Sequence, residues 1–142
     1  MKAEAIHLDD DVIALLEGGG LPTSDISTGR RIRLFGFRED GRLVGVVGVE
    51  DYGTDGMLRS LAVAQDRRNC GYGISLVSCA ESDAVSRGIR RLYLLTTSAS
   101  AFFARLGYEA IPRSKAPGAI AATPQFASLC PASSMFMCKV LG

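Results

Sequence analysis

The chain has 142 residues, 47% of them apolar, which is enough length and apolar surface for one domain with one core and too little for two. Its 16 basic and 15 acidic residues leave a formal charge of +1, so no large field exists to attract a nucleic-acid backbone or an anionic membrane. No apolar run approaches the roughly 20 residues that span a bilayer, and residues 1–11 end in three consecutive acids where an export signal would have a basic start and an apolar stretch.

The 4 cysteines, Cys70, Cys79, Cys130 and Cys138, form no C-x-x-C pair, and the single histidine, His7, is distant from all of them. No metal site is expected. Free thiols in a reducing, cytoplasmic compartment are the ordinary reading, since buried cysteine behaves as a small hydrophobe.

Residues 2–8 read as an opening strand. Asp9 follows as an N-cap, and Val12, Ile13, Leu15 and Leu16 share one face of a helix that Gly18, Gly19 and Gly20 end. Residues 21–29 mix Pro, Ser, Thr and Asp without periodicity and predict a loop or a short irregular helix. Residues 31–38 alternate Ile32, Leu34 and Gly36 against Arg33, Phe35 and Phe37, and Asp40-Gly41 turns the chain into residues 43–50. A second turn over 53–56 leads into residues 57–63, giving three antiparallel strands in sequence order.

From Gly71 the period changes, with Ile74, Val77, Ala80, Ala84 and Val85 at helical spacing until Arg87-Gly88 closes the longest helix. Residues 91–97 then form a dense apolar strand, residues 99–106 a short helix ended by Gly107, and residues 108–111 another strand. Beyond Pro112 the chain is rich in Ala, Pro and Ser, with a short helix over 116–122 and a final strand over 134–140.

Between the third hairpin strand and the long helix stand Asp66, Arg67, Arg68, Asn69, Cys70, Gly71, Tyr72 and Gly73, a basic, glycine-bearing turn at a helix N-terminus. Unpaired N–H groups, the positive end of the helix dipole and close backbone approach at glycine together favour a phosphate. Three templates compete for it. A Walker loop needs Gly-Lys-Ser/Thr, which is absent, and a dinucleotide loop needs a small residue where Leu76 stands. The pattern Arg/Gln-x-x-Gly-x-Gly/Ala fits Arg68, Gly71 and Gly73. A glycine-rich turn can also be a simple cap, so the surroundings carry the weight: a strand before, a long helix after, then a second strand and Phe102-Phe103-Ala104-Arg105-Leu106-Gly107-Tyr108.

In these features the chain resembles the GCN5-related N-acetyltransferases, over roughly half its length. The resemblance implies an α/β (α+β) fold, a mixed and mostly antiparallel sheet of about six or seven strands with flanking helices. It implies acetyl-coenzyme A as cosubstrate, a small amine as acceptor, and homodimers paired through terminal strands such as residues 134–140. Residues 58–63, 94–97, 101–108 and 123–131 further resemble N-acetyltransferases encoded beside arsenic-resistance genes, some of which acetylate amino-acid-like antibiotics such as phosphinothricin.

By the same resemblance the thioester would lie in a splay between residues 57–63 and 91–97, with backbone N–H groups of Leu61, Ala62 and Val63 on its carbonyl oxygens and Arg68, Asn69, Cys70, Gly71, Tyr72 and Gly73 on the pyrophosphate. Thr97 would reach the pantetheine with Thr96 beside it, unless both are ordinary β-branched strand residues. Relatives place a proton-donating tyrosine where this chain has Phe103, which would line the cofactor site without a proton to give and leaves Tyr52, Tyr72, Tyr108 or water to protonate the leaving thiolate. With a thiol pKa near about 8.5, direct departure is also open.

Glu50 is the first candidate for the general base and Asp55 the second, although carboxylates at strand ends are commonly solvated. Arg59 interrupts an apolar strand beside the acyl site and would bind a substrate carboxylate or phosphinate bidentately, or else face water. Cys130 alone makes no arsenic chelate. A non-catalytic acyl-coenzyme A sensor and a protein or peptide N-acetyltransferase are the competing readings.

Overall fold

A computed structural model describes residues 3–21, 23, 32–129 and 134–141. Seven strands form one sheet in the order β1-β2-β3-β4-β5-β7-β6, so the mixed, mostly antiparallel architecture expected above is the one adopted. Most of the expected loop over 21–29, and Cys130, lie outside the described residues.

The first strand, β1, is confined to Glu4–Ile6. Helix α1, Asp10–Gly18, starts where Asp9 accepts a hydrogen bond from the Val12 N–H at 2.9 Å, and it buries Val12 and Leu16 against the sheet. Strands β2, Ile32–Glu39, and β3, Arg42–Tyr52, join through Asp40 and Gly41, whose φ values of 51° and 80° are those of a tight hairpin turn. Strand β4, Asp55–Val63, continues the antiparallel meander.

Helix α2, Tyr72–Ser86, buries Leu76, Val77, Ala80 and Ala84 against β2, β3 and β4. Four apolar residues at helical spacing fully removed from water supply several kcal/mol, at about 1.5–3 kcal/mol for a Leu or Val and less for Ala. Strand β5, Arg91–Thr96, then lies parallel to β4, and helix α3, Ser100–Arg105, carries Phe103 into the main core beside Tyr108. Strand β6 is only Glu109–Ala110. A short helix, α4, Gly118–Ala121, and a single wide turn over Gln125–Leu129 cover the other face of the sheet, where Ile120 and Phe126 join Met57, Tyr93 and Phe136.

The last strand, β7, Met135–Val140, is not the open edge that its apolar sequence suggests. It inserts between β5, with which it pairs along its whole length, and β6, which meets Cys138 and Met137. The Phe136 carbonyl also accepts from the Ile111 N–H at 3.0 Å. Phe136 and Met137 are apolar because the strand is interior to the sheet, while Met135 at its start is exposed.

Candidate active site

Two irregularities of β4 shape the site. Its pairing with β5 stops after Met57↔Tyr93, although β4 runs on to Val63 and β5 to Thr96, so the two strands part and leave a slot. Its pairing with β3 jumps from Gly48↔Arg59 to Val46↔Ala62, so that Ser60 and Leu61 together oppose Val47. This is a β-bulge, and it holds Ser60 at φ 59°, a left-handed conformation unfavourable for a residue with a side chain. A bulge of this kind turns one strand N–H away from the ladder. Leu61, Ala62 and Val63 follow it, half-buried along the slot.

At the end of β4 a short 3₁₀ turn, Gln65–Arg67, leads to Arg68, Asn69, Cys70 and Gly71, and Gly71 is the N-cap of α2. Asn69 and Gly71 both have positive φ, 63° and 86°. A β-carbon on Gly71 would meet nothing within 4 Å, so glycine is required there for its backbone angle. At Gly73 the requirement is space, because a β-carbon would stand 3.3 Å from the Phe102 ring of α3. Gly71, as the N-cap, has no side chain with which to cap the first amides of α2, a helix start suited to an anion. Arg68 is exposed, and its Nε donates to the Val63 carbonyl at 3.3 Å.

The neighbouring arginines differ from Arg68. Arg42 at the start of β3 makes two 2.8 Å hydrogen bonds to Asp66, which hold its carboxyl at about 2. Arg67 donates to Glu39 at 2.9 Å, and the Tyr72 hydroxyl donates to the other oxygen of Glu39. None of these ties was evident from sequence, because Glu39 and Arg42 lie some thirty positions from the turn and only the sheet register brings them there.

Glu50 and Arg59 meet. An Arg59 Nη donates to Glu50 Oε2 at 2.8 Å, with side chains 0% and 5% exposed. The Tyr52 hydroxyl donates to Glu50 Oε1 at 2.5 Å, and Arg59 Nε donates to Ser60 Oγ at 3.0 Å, directly on the bulge. Neither charged group is solvated. Glu50 is opposite Met57 and Arg59 opposite Gly48, so the pair sits where β4 leaves β5. The second base candidate, Asp55, lies at the opposite, closed end of that pairing.

Thr96 Oγ1 accepts from the Ala99 N–H at 3.0 Å and so organises the turn into α3, while Thr97 is exposed at the strand's end. Phe103 is 6% exposed and stacks edge-on against Phe102 and Tyr108 within the main core. The tyrosines proposed to replace it as an acid each donate a hydrogen bond to a glutamate: Tyr52 to Glu50, Tyr72 to Glu39, and Tyr108 to Glu81 at 2.9 Å. Burial, then the Glu81 charge, raises the Tyr108 phenol above its ordinary range. Among the described residues Cys70, Cys79 and Cys138 form no disulfide, and no helix is long and apolar enough to cross a membrane.

Comparison with known proteins agrees with this geometry. The model of the acetyltransferase (GNAT) family matches residues 9–108. An uncharacterized N-acetyltransferase of Chlorobaculum tepidum is 40% identical over 60 residues, 42% of this chain and 38% of that protein. Among solved structures, N-acetylglutamate synthase from Neisseria gonorrhoeae, in complex with coenzyme A and N-acetyl-glutamate, superposes with a TM-score of 0.80 at 20% identity, over 100% of this chain and 36% of its own. Tetrahymena GCN5 gives 0.78 at 13% identity, over 100% and 97%. The chain thus spans well under half the length of both the curated relative and the synthase.

Proposed function

The chain belongs to the acetyltransferase (GNAT) family, and from that premise we propose that it transfers the acetyl group of acetyl-coenzyme A to the amine of a small, amino-acid-like, anionic acceptor. The observation that carries the reading is the slot between β4 and β5 ending at the turn of Arg68, Asn69, Cys70, Gly71, Tyr72 and Gly73. A pyrophosphate on the amides of that turn directs the pantetheine arm into the slot, past Leu61, Ala62 and Val63 on one side and Thr97 on the other. The thioester carbonyl takes the N–H freed by the bulge, where the tetrahedral oxyanion forms. Coenzyme A in the solved complex of the Neisseria synthase supports the cofactor, and the acetylated amino acid bound there supports the class of acceptor.

The acceptor must lose a proton to attack. Glu50 is its destination in this reading, reached through the Tyr52 hydroxyl because the carboxylate itself is buried. Arg59 balances the charge of Glu50 and fixes its orientation. It is already committed to that carboxylate, so any hold on an acceptor anion is shared with Glu50. With Phe103 in place of a tyrosine and the nearby phenols engaged, the thiolate leaves unassisted or takes its proton from water. Those engaged phenols also favour a second reading, an acyl-coenzyme A-binding module without turnover.

Turnover separates the two. Acetyl-coenzyme A is incubated with amino acids, polyamines and phosphinothricin, the last chosen for the likeness to enzymes encoded beside arsenic-resistance genes, and free thiol is titrated. Thiol release above the acceptor-free rate is expected with an anionic amino compound, and Glu50→Gln should lower kcat by about a hundredfold or more. A silent panel with a protein that binds the cofactor would leave the binding module as the function.

A further inference from the structure

The corner of the molecule that carries the turn holds three arginines and two carboxylates, and the hydrogen bonds sort them unequally. Asp66 takes Arg42 on both oxygens at 2.8 Å. Glu39 takes Arg67 on one oxygen at 2.9 Å and the Tyr72 hydroxyl on the other. Arg67 also donates to Asp66 at 3.3 Å. Arg68, the next residue, forms no ion pair among the described residues. Two adjacent and chemically identical side chains therefore stand in different states. One is tethered between two carboxylates, and the other is an exposed cation beside the helix start.

Glu39 and Arg42 flank the β2–β3 turn, whereas Asp66, Arg67 and Tyr72 flank the turn between β4 and α2. The hairpin tip thus grips the second turn on both sides of its two left-handed residues, Asn69 and Gly71. The Tyr72 ring packs edge-on against Phe37 at 5.1 Å, which directs its hydroxyl at Glu39. A turn with two positive φ angles and no side-chain cap has little of its own to hold it in one shape. A clamp at both ends removes that freedom before a ligand arrives, and affinity gains by the ordering cost avoided.

We propose that Glu39, with Tyr72 and Arg67, is a positioning device that pre-forms the anion turn, so that Arg67 shapes the site without touching the pyrophosphate and Arg68 supplies the attracting charge. This rests on the coenzyme A reading above and adds to it the hairpin tip as a part of the cofactor site.

Calorimetric titration with coenzyme A, at low and high salt, tests it on Tyr72→Phe, Glu39→Gln, Arg67→Gln and Arg68→Gln, with the melting temperature of each free protein as control. Tyr72→Phe keeps the ring against Phe37, and Glu39→Gln keeps the side chain's shape. Both should raise Kd about fivefold or more while the free protein melts close to wild type. Arg67→Gln should weaken binding with a smaller change in salt dependence than Arg68→Gln, which should both weaken it and flatten that dependence most, because the exposed Arg68 charge acts on the anion directly while that of Arg67 is partly offset by Glu39 and Asp66. Unchanged Kd in Tyr72→Phe and Glu39→Gln, with or without a lower melting temperature, would mark the ties as merely structural and overturn the proposal. Equal flattening by Arg67→Gln would overturn the division between the arginines. A wild-type protein that binds no coenzyme A would instead remove the cofactor reading itself.

Discussion

Gly71 and Glu50 show how single residues carry the site. With φ at 86° and open space around its α-carbon, Gly71 can be replaced only at a conformational cost. Gly71→Ala should destabilise the free protein by about 1–2 kcal/mol and shrink the thermal shift produced by coenzyme A, both readable in one melting series. An unaltered shift would mean that the left-handed angle is irrelevant to binding. Glu50 is bound to a guanidinium with no solvent access. Glu50→Ala would leave that charge buried without its carboxylate and should cost about 3–5 kcal/mol in urea unfolding, whereas Glu50→Gln keeps an acceptor and costs less. A loss below about 1 kcal/mol for Glu50→Ala would show that Arg59 finds water or another anion. The sequence identified both residues as candidates but not their partnership, because Glu50 and Arg59 lie diagonally on adjacent strands and only the sheet register brings them together.

At the scale of elements, what was legible depended on range. The hairpin at Asp40-Gly41, the cap at Asp9 and the helix from Gly71 are written in neighbouring residues, and each forms where its local pattern predicts. Strand β7 was legible as a strand but not as an interior one, since nothing in residues 134–140 states which neighbours they receive. Likewise Phe103 and Tyr108 were read by their place in a motif, whereas their surroundings put them in the core under α2. Ser60 is the hardest case. Its positive φ follows from β3 and β4 falling out of register, and a serine within an apolar strand does not announce it.

For the whole molecule, the buried phenols predict an alkaline limit to stability. Burial, reinforced by Cys138 and Asp55, pushes the Tyr93 phenol from an ordinary 10 up to about 12, and Tyr108 moves in the same direction. A group whose folded pKa lies above its unfolded value gives its full contribution below the unfolded pKa and loses it as pH rises through the folded one. Unfolding midpoints in urea should therefore be level up to about pH 10 and fall between there and about pH 12, and Tyr93→Phe should make the fall shallower. A wild-type profile that stayed flat to pH 12 would show that these phenols are solvated.

The fold class, the order of strands and helices through α3 and the turn at Gly71 were all available from one sequence, because local pattern and one spaced motif specify them. The bulge and the hairpin clamp were not, since each depends on which strands pair and in what register, and the slot between β4 and β5 was expected from the family resemblance alone, not from any pattern in the residues. The central claim is that this turn and this slot receive acetyl-coenzyme A. A crystal structure with acetyl-coenzyme A tests it most directly: the account predicts the pyrophosphate on the amides of Cys70 to Gly73 and the pantetheine between β4 and β5 beyond Met57 and Tyr93. A cofactor bound on another face, with the two strands closed over an empty slot, would contradict it.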